Sequence, residues 1–206
     1  MRARRYDLAI LGAVACAYSP PSQTFLEQIK SLFAGTAPRP PQSIAPTVGL
    51  NVGKLPYGPD RLSIWDLGGQ LELHGIWEKY YQECHGVIFI VDAGDPERAE
   101  LSVAAFTKAL ADAQLETVPT VILANKQDLP GAMPIDQILT MFRPYSSQLG
   151  DRDCRIQPVV ALTGCARFDS DILWNSCNFR EGAEQALAWL VNAMRLNAPN
   201  RRPRLN

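Results

Sequence analysis

Cysteine is sparse in this 206-residue chain, and Cys16, Cys84, Cys154, Cys165 and Cys177 form an odd set with no C-x-x-C pair. That spacing excludes a disulfide framework and a two-plus-two zinc site, and it fits a reducing, intracellular compartment. Long apolar runs are missing too. None approaches the ~18 residues that a membrane helix requires, and Met1-Arg2-Ala3-Arg4-Arg5 lacks the apolar stretch of a signal peptide. Glycine is absent from the second position, where myristoylation needs it, so no lipid anchor is visible and the free chain is expected to be soluble. Charge of one sign is not in excess: the formal net charge is -1, which removes any compositional argument for nucleic acid. The basic clusters Arg2-Arg4-Arg5 and Arg201-Arg202-Arg204 lie at the ends and read as solvated tails.

What is present is ordinary globular material, 47% hydrophobic and 20% charged, enough for one domain with a substantial core. Short runs that are apolar throughout mark strands buried on both faces of a parallel sheet: Leu8 to Leu11, Gly86 to Val91, Thr120 to Ala124 and Pro158 to Leu162. Helical patterns lie between and after them. Glu97 to Ala113 sets Leu101, Ala104, Ala105 and Leu110 near one face, and Glu181 to Leu196 sets Ala183, Leu187, Leu190, Val191 and Met194 on another. Alternation of strand and helix predicts an α/β fold. The stretches Leu50 to Leu55 and Leu62 to Trp65 alternate instead, around the turn signal Tyr57-Gly58-Pro59-Asp60, which predicts an antiparallel hairpin and a mixed sheet. Ala34 to Pro46 reads as an exposed loop, and the Pro/Arg-rich end over 199–206 as a disordered tail.

Ligands of such sheets bind beyond the carboxyl ends of the strands. Three of those ends carry chemistry. After Thr120 to Ala124 comes Asn125-Lys126-Gln127-Asp128, where an ionised Asp128 accepts from both the ring N–H and the exocyclic amine of guanine while the Lys126 stem lies along the base. After Leu62 to Ile64 comes Trp65-Asp66-Leu67-Gly68-Gly69-Gln70. Asp66 is suited to holding Mg²⁺ through water, Gly69 to bringing a backbone N–H near a terminal phosphate, and Gln70 to orienting an attacking water. Upstream, Pro46-Thr47-Val48-Gly49-Leu50-Asn51 places a Thr47 hydroxyl where Mg²⁺ and the γ-phosphate would meet it. A polar turn after a strand and a glycine turn are the plain alternatives for the first two motifs.

Taken in order, these motifs resemble the ADP-ribosylation-factor branch of small GTPases over roughly residues 6–164 and 180–198. Thr24-Phe25-Leu26-Glu27-Gln28 is similar to the start of the family's first helix. Tyr80-Tyr81-Gln82-Glu83-Cys84-His85-Gly86-Val87-Ile88 is most similar to its ADP-ribosylation-factor-related members, which act at the trans-Golgi. Ala161-Leu162-Thr163-Gly164 resembles the last nucleotide loop, although Val160 stands where the family usually has serine. The resemblance implies a Ras-like P-loop GTPase fold: a six-stranded, mostly parallel sheet with one antiparallel strand and helices on both faces. It implies a single domain over 1–198, monomeric, that hydrolyses GTP and switches between GTP and GDP with Mg²⁺ in Golgi vesicle transport. Gln70 is then the catalytic residue, Gly69, Asn125, Lys126, Asp128, Ala161 and Leu162 bind GTP, and Thr47 and Asp66 serve the metal. Implied partners are an exchange factor, a GTPase-activating protein and Golgi tethering effectors, with peripheral membrane contact.

Two segments depart from the family. A phosphate loop needs G-x-x-x-x-G-K-[ST], but the register from Gly12 gives Ala17, Tyr18 and Ser19, residues 13–23 contain no lysine, and Pro20 and Pro21 remove two backbone donors. Residues 165–179 intervene where the family passes directly to its last helix. Misjoined coding sequence would account for both departures; a natural relative that has lost phosphate binding is the other explanation. The amphipathic helix that the family places before its first strand is mostly missing. The expected function is therefore a guanine-nucleotide switch, with a non-nucleotide-binding interaction protein as the rival. An ATP-dependent kinase is disfavoured by the guanine-reading tetrapeptide.

Overall fold

The computed structural model describes residues 4–11, 21–34, 50–69, 74–161 and 179–197. Six strands form one sheet: β1 (Arg5–Leu11), β2 (Leu50–Tyr57), β3 (Asp60–Leu67), β4 (Gly86–Asp92), β5 (Thr120–Asn125) and β6 (Cys154–Pro158), in the spatial order β2-β3-β1-β4-β5-β6. All pairs are parallel except β2 with β3. That hairpin closes at Tyr57 opposite Asp60, and Gly58 supplies the left-handed backbone of the turn at φ 56°.

Among the described residues five α-helices cover the sheet: α1 (Pro21–Ala34), α2 (His74–Tyr81), α3 (Pro96–Leu110), α4 (Ile135–Phe142) and α5 (Phe179–Asn197). Strands with apolar residues at every position bury both faces, and the core accordingly divides in two. Tyr6, Leu8, Ile10, Ile88 and Val121 meet α1 and α5 through Phe25, Ile29, Leu187 and Leu190. Ala9, Leu11, Phe89 and Ile122 meet α2, α3 and α4 through Trp77, Phe106 and Phe142. Each such large side chain contributes roughly 1.5–3 kcal/mol by leaving water. The predicted face of α5 is the buried one, Ala183, Leu187, Leu190, Val191 and Met194 all lying in the core.

Two expectations are corrected. On α3 the buried stripe is Ala99, Val103, Phe106 and Leu110 with Ala105 beside it, while Leu101 is 45% exposed and Ala104 is exposed, because Leu101 lies roughly 200° around the helix from Ala99 and Val103. Over 159–161 the apolar run is not strand. The ladder runs through Cys154–Pro158, and one further bond, from the Val159 N–H to the Ala124 carbonyl at 2.9 Å, follows it. Val159, Val160 and Ala161 are buried by packing beyond it, with Val159 and Ala161 in the α1/α5-side core.

Candidate functional site

The chain runs outward from β1 in one direction to β3 and in the other to β4, so the crevice at the sheet's carboxyl edge opens beside the end of β1. Along that edge stand Asp66 at the end of β3, Asp92 closing β4, Asn125 closing β5 and Ala161 after β6. Asp92 pairs directly opposite Asn125, so register alone brings these two polar ends side by side.

Asn125 is 1% exposed and works as an internal brace. Its Oδ1 accepts from the Ala161 N–H at 2.9 Å, tying the loop after β6 to β5, and its carbonyl accepts from the Ala93 N–H at 2.9 Å. Lys126 follows with φ 66°, a left-handed conformation unusual for a residue with a side chain. Its Nζ lies 2.6 Å from Asp92 Oδ2, with both side chains nearly buried. Asp92 Oδ1 accepts from the Gly94 N–H at 3.0 Å, and a Cβ on Gly94 would fall 2.6 Å from Leu129 Cδ1, so the exposed Leu129 side chain would have to shift to admit one. Gln127 turns away and donates through Nε2 to the Met133 carbonyl at 3.1 Å. Asp128 Oδ1 is buried and has no hydrogen-bond partner among the described residues. A buried carboxylate oxygen left in that state is costly unless a ligand donor meets it.

Asp66 is fully buried, and Gly69 is buried beside it in sequence. The turn they form is pinned from α2. Trp77, 2% exposed, donates its indole N–H to the Gly68 carbonyl at 3.1 Å, and His74 Nε2 lies 3.2 Å from the Gly69 carbonyl. The two rings pack with centroids 4.1 Å apart. Thr47, Gln70 and Leu162 lie outside the described residues, as do the phosphate-loop positions 12–20.

Asp92, His74 and Trp77 were not singled out in the sequence. Asp92 had a signal: a carboxylate closing a wholly apolar strand needs a partner once buried. A cleft opens elsewhere. About 530 Å³ opens between α3, α4 and β6, lined by Phe106, Leu139, Phe142, Tyr145, Cys154 and Ile156, and none of the site residues borders it. Burial pushes the Cys154 thiol up to about 11, partly opposed by Arg152, so it is no nucleophile at neutral pH.

A mostly parallel sheet with an Asn-Lys-x-Asp turn after β5 and a glycine turn after β3 is the arrangement of a small GTPase. The model of the ADP-ribosylation factor family matches residues 35–194, and the chain belongs to that family, whose members are GTP hydrolases that bind GTP and GDP. ADP-ribosylation factor-related protein 1 of Bos taurus is 41% identical over 182 residues, 88% of this chain and 82% of the relative. ADP-ribosylation factor-like protein 3 of Saccharomyces cerevisiae is 34% identical over 200 residues, 97% and 90% of the two chains. Among solved structures, the Arl6 BBS3 small GTPase of Trypanosoma brucei, with the nucleotide analogue GppNp bound, superposes with a TM-score of 0.71. It is 21% identical, covers 93% of this chain and 98% of its own, and so shares the fold.

Proposed function

We propose that this chain is a guanine-nucleotide switch of Golgi vesicle transport whose hold on the nucleotide comes mainly from the base. One observation carries the reading: Asn125, Lys126 and Ala161 are already fixed to one another and to Asp92, while the buried Asp128 Oδ1 awaits a donor. A site preorganised in this way gains affinity because the ligand need not order it. At the other end, Asp66 with Thr47 would hold Mg²⁺ mainly through water and phosphate oxygens, a donor set this cation accepts. Gly69 would meet the γ-phosphate and Gln70 would orient the hydrolytic water. Cytoplasmic and trans-Golgi membrane association, an exchange factor, a GTPase-activating protein and tethering effectors belong to the same reading.

The sequence of 13–23 supports a second reading, an interaction protein that binds no nucleotide, because a lysine and two backbone donors are missing from the loop. Losing two or three charge-assisted hydrogen bonds removes at least ~3 kcal/mol, on the order of a hundredfold in affinity. Titration with a fluorescent GDP analogue decides between the two. Saturable binding that shifts from guanine toward xanthine nucleotides on Asp128→Asn supports the switch. No binding up to ~1 mM leaves the second reading.

A further inference from the structure

The acid that closes β4 belongs to none of the motifs that mark the site, yet it grips the site's lysine. Asp92 is 8% exposed and stands opposite Asn125 in the β4–β5 register. Its two oxygens are divided between tasks: Oδ1 is fixed by the Gly94 N–H at 3.0 Å, and Oδ2 lies 2.6 Å from Lys126 Nζ. The carboxylate is thus held by backbone independently of the lysine. A nearly buried ammonium needs an opposite charge, and once neutralised it leaves a stem of four methylenes as apolar surface. The left-handed backbone at Lys126, φ 66°, sets the direction from which that stem leaves the chain, and Asp92 fixes where it ends.

We propose that Asp92 is a positioning residue for the guanine base: by anchoring and neutralising Lys126 it holds the lysine stem as a wall against the ring, and it sets purine affinity without touching the ligand. This rests on the nucleotide-binding reading above. A wall meets the ring face rather than its exocyclic groups. Asp92 therefore governs affinity for guanine and hypoxanthine alike, whereas Asp128 governs the choice between them.

The test is a double-variant cycle on the full chain: unchanged, Asp92→Asn, Lys126→Met, and both together, each titrated with GDP and with inosine diphosphate and each followed through thermal unfolding. Methionine supplies an unbranched apolar stem with no charge to hold. Asp92→Asn is expected to weaken both nucleotides by the same factor, about tenfold. In the Lys126→Met background the same change is expected to alter binding by less than about threefold, because no ammonium remains to be anchored. An Asp92 that merely supports the fold would weaken binding equally in both backgrounds in step with the unfolding temperature, and that additive result overturns the proposal, as does a changed ratio of GDP to inosine diphosphate affinity. If the unchanged chain binds neither nucleotide, the nucleotide-binding reading falls and this inference with it; if it binds and the cycle is additive, this inference alone falls.

Discussion

Asn125→Ala removes one side-chain oxygen from the interior, and the cost follows from what that oxygen holds. Asn125 is 1% exposed and Ala161 2%, and the Ala161 N–H reaches Oδ1 at 2.9 Å, so no water stands ready to replace the acceptor. A buried donor stripped of its partner costs about 1–3 kcal/mol. In a domain of this size each kcal/mol lowers the unfolding temperature by roughly 2–4 °C, which sets the expected fall at about 2–12 °C. Calorimetry reads the total. Hydrogen exchange reads the place, because the Ala161 amide should lose protection by more than the global destabilisation accounts for. An unfolding temperature within about 1 °C of the parent, with Ala161 still protected, would refute the claim that this bond ties the loop after β6 to β5.

Three further outcomes are expected. Arg152 is 8% exposed and donates to the carbonyls of Glu116, Gln148 and Leu110 at 3.3, 3.1 and 3.1 Å, so Arg152→Lys, a point charge unable to span three acceptors, should cost about 1–3 kcal/mol in urea unfolding; full stability with lysine would contradict this. Burial pushes the Asp60 carboxyl up, but the Arg195 guanidinium at 2.6 Å and the Arg4 N–H at 3.1 Å outweigh it and hold the group below the ordinary carboxylate value. That contribution is present above about pH 4 and lost as pH falls through the folded value, so Asp60→Asn should flatten the acid limb of the stability profile; the part-exposed arginine keeps the effect near 1 kcal/mol or less. Trp77→Phe keeps an aromatic ring but removes the pyrrole half of the indole together with the N–H that reaches Gly68, so a loss of at least about 1–2 kcal/mol on thermal unfolding is expected, and parent stability would contradict it.

The hairpin was legible because Gly58 and the two alternating stretches around it are local signals, and α5 because its apolar spacing is unbroken. The fold class followed from strands that are apolar at every position. Local pattern fails where a distant partner decides. Val159, Val160 and Ala161 look like strand but are buried by packing beyond the ladder, and on α3 the neighbouring elements cover the face of Ala99, Val103 and Phe106, leaving the apolar Leu101 outside. At the site, the needs of guanine pointed to Asn125, Lys126 and Asp128, and the structure places them at the end of β5 and in the turn that follows it. Asp92 was not, because its role is a bond to a residue 34 positions away that only the sheet register makes adjacent. Thr47, Gln70 and Leu162 rest on the motifs alone.

Lys126 occupies backbone territory in which a side chain costs about 1 kcal/mol and glycine costs nothing. Selection for folding alone would therefore run downhill from lysine to glycine or asparagine at this position. The residue therefore bears on a chain whose residues 13–23 lack the lysine of a phosphate loop. In a lineage that had long since given up its nucleotide, this turn is among the first places where drift would relax the chain. A chain that still carries the strained lysine either continues to use it or stopped doing so recently.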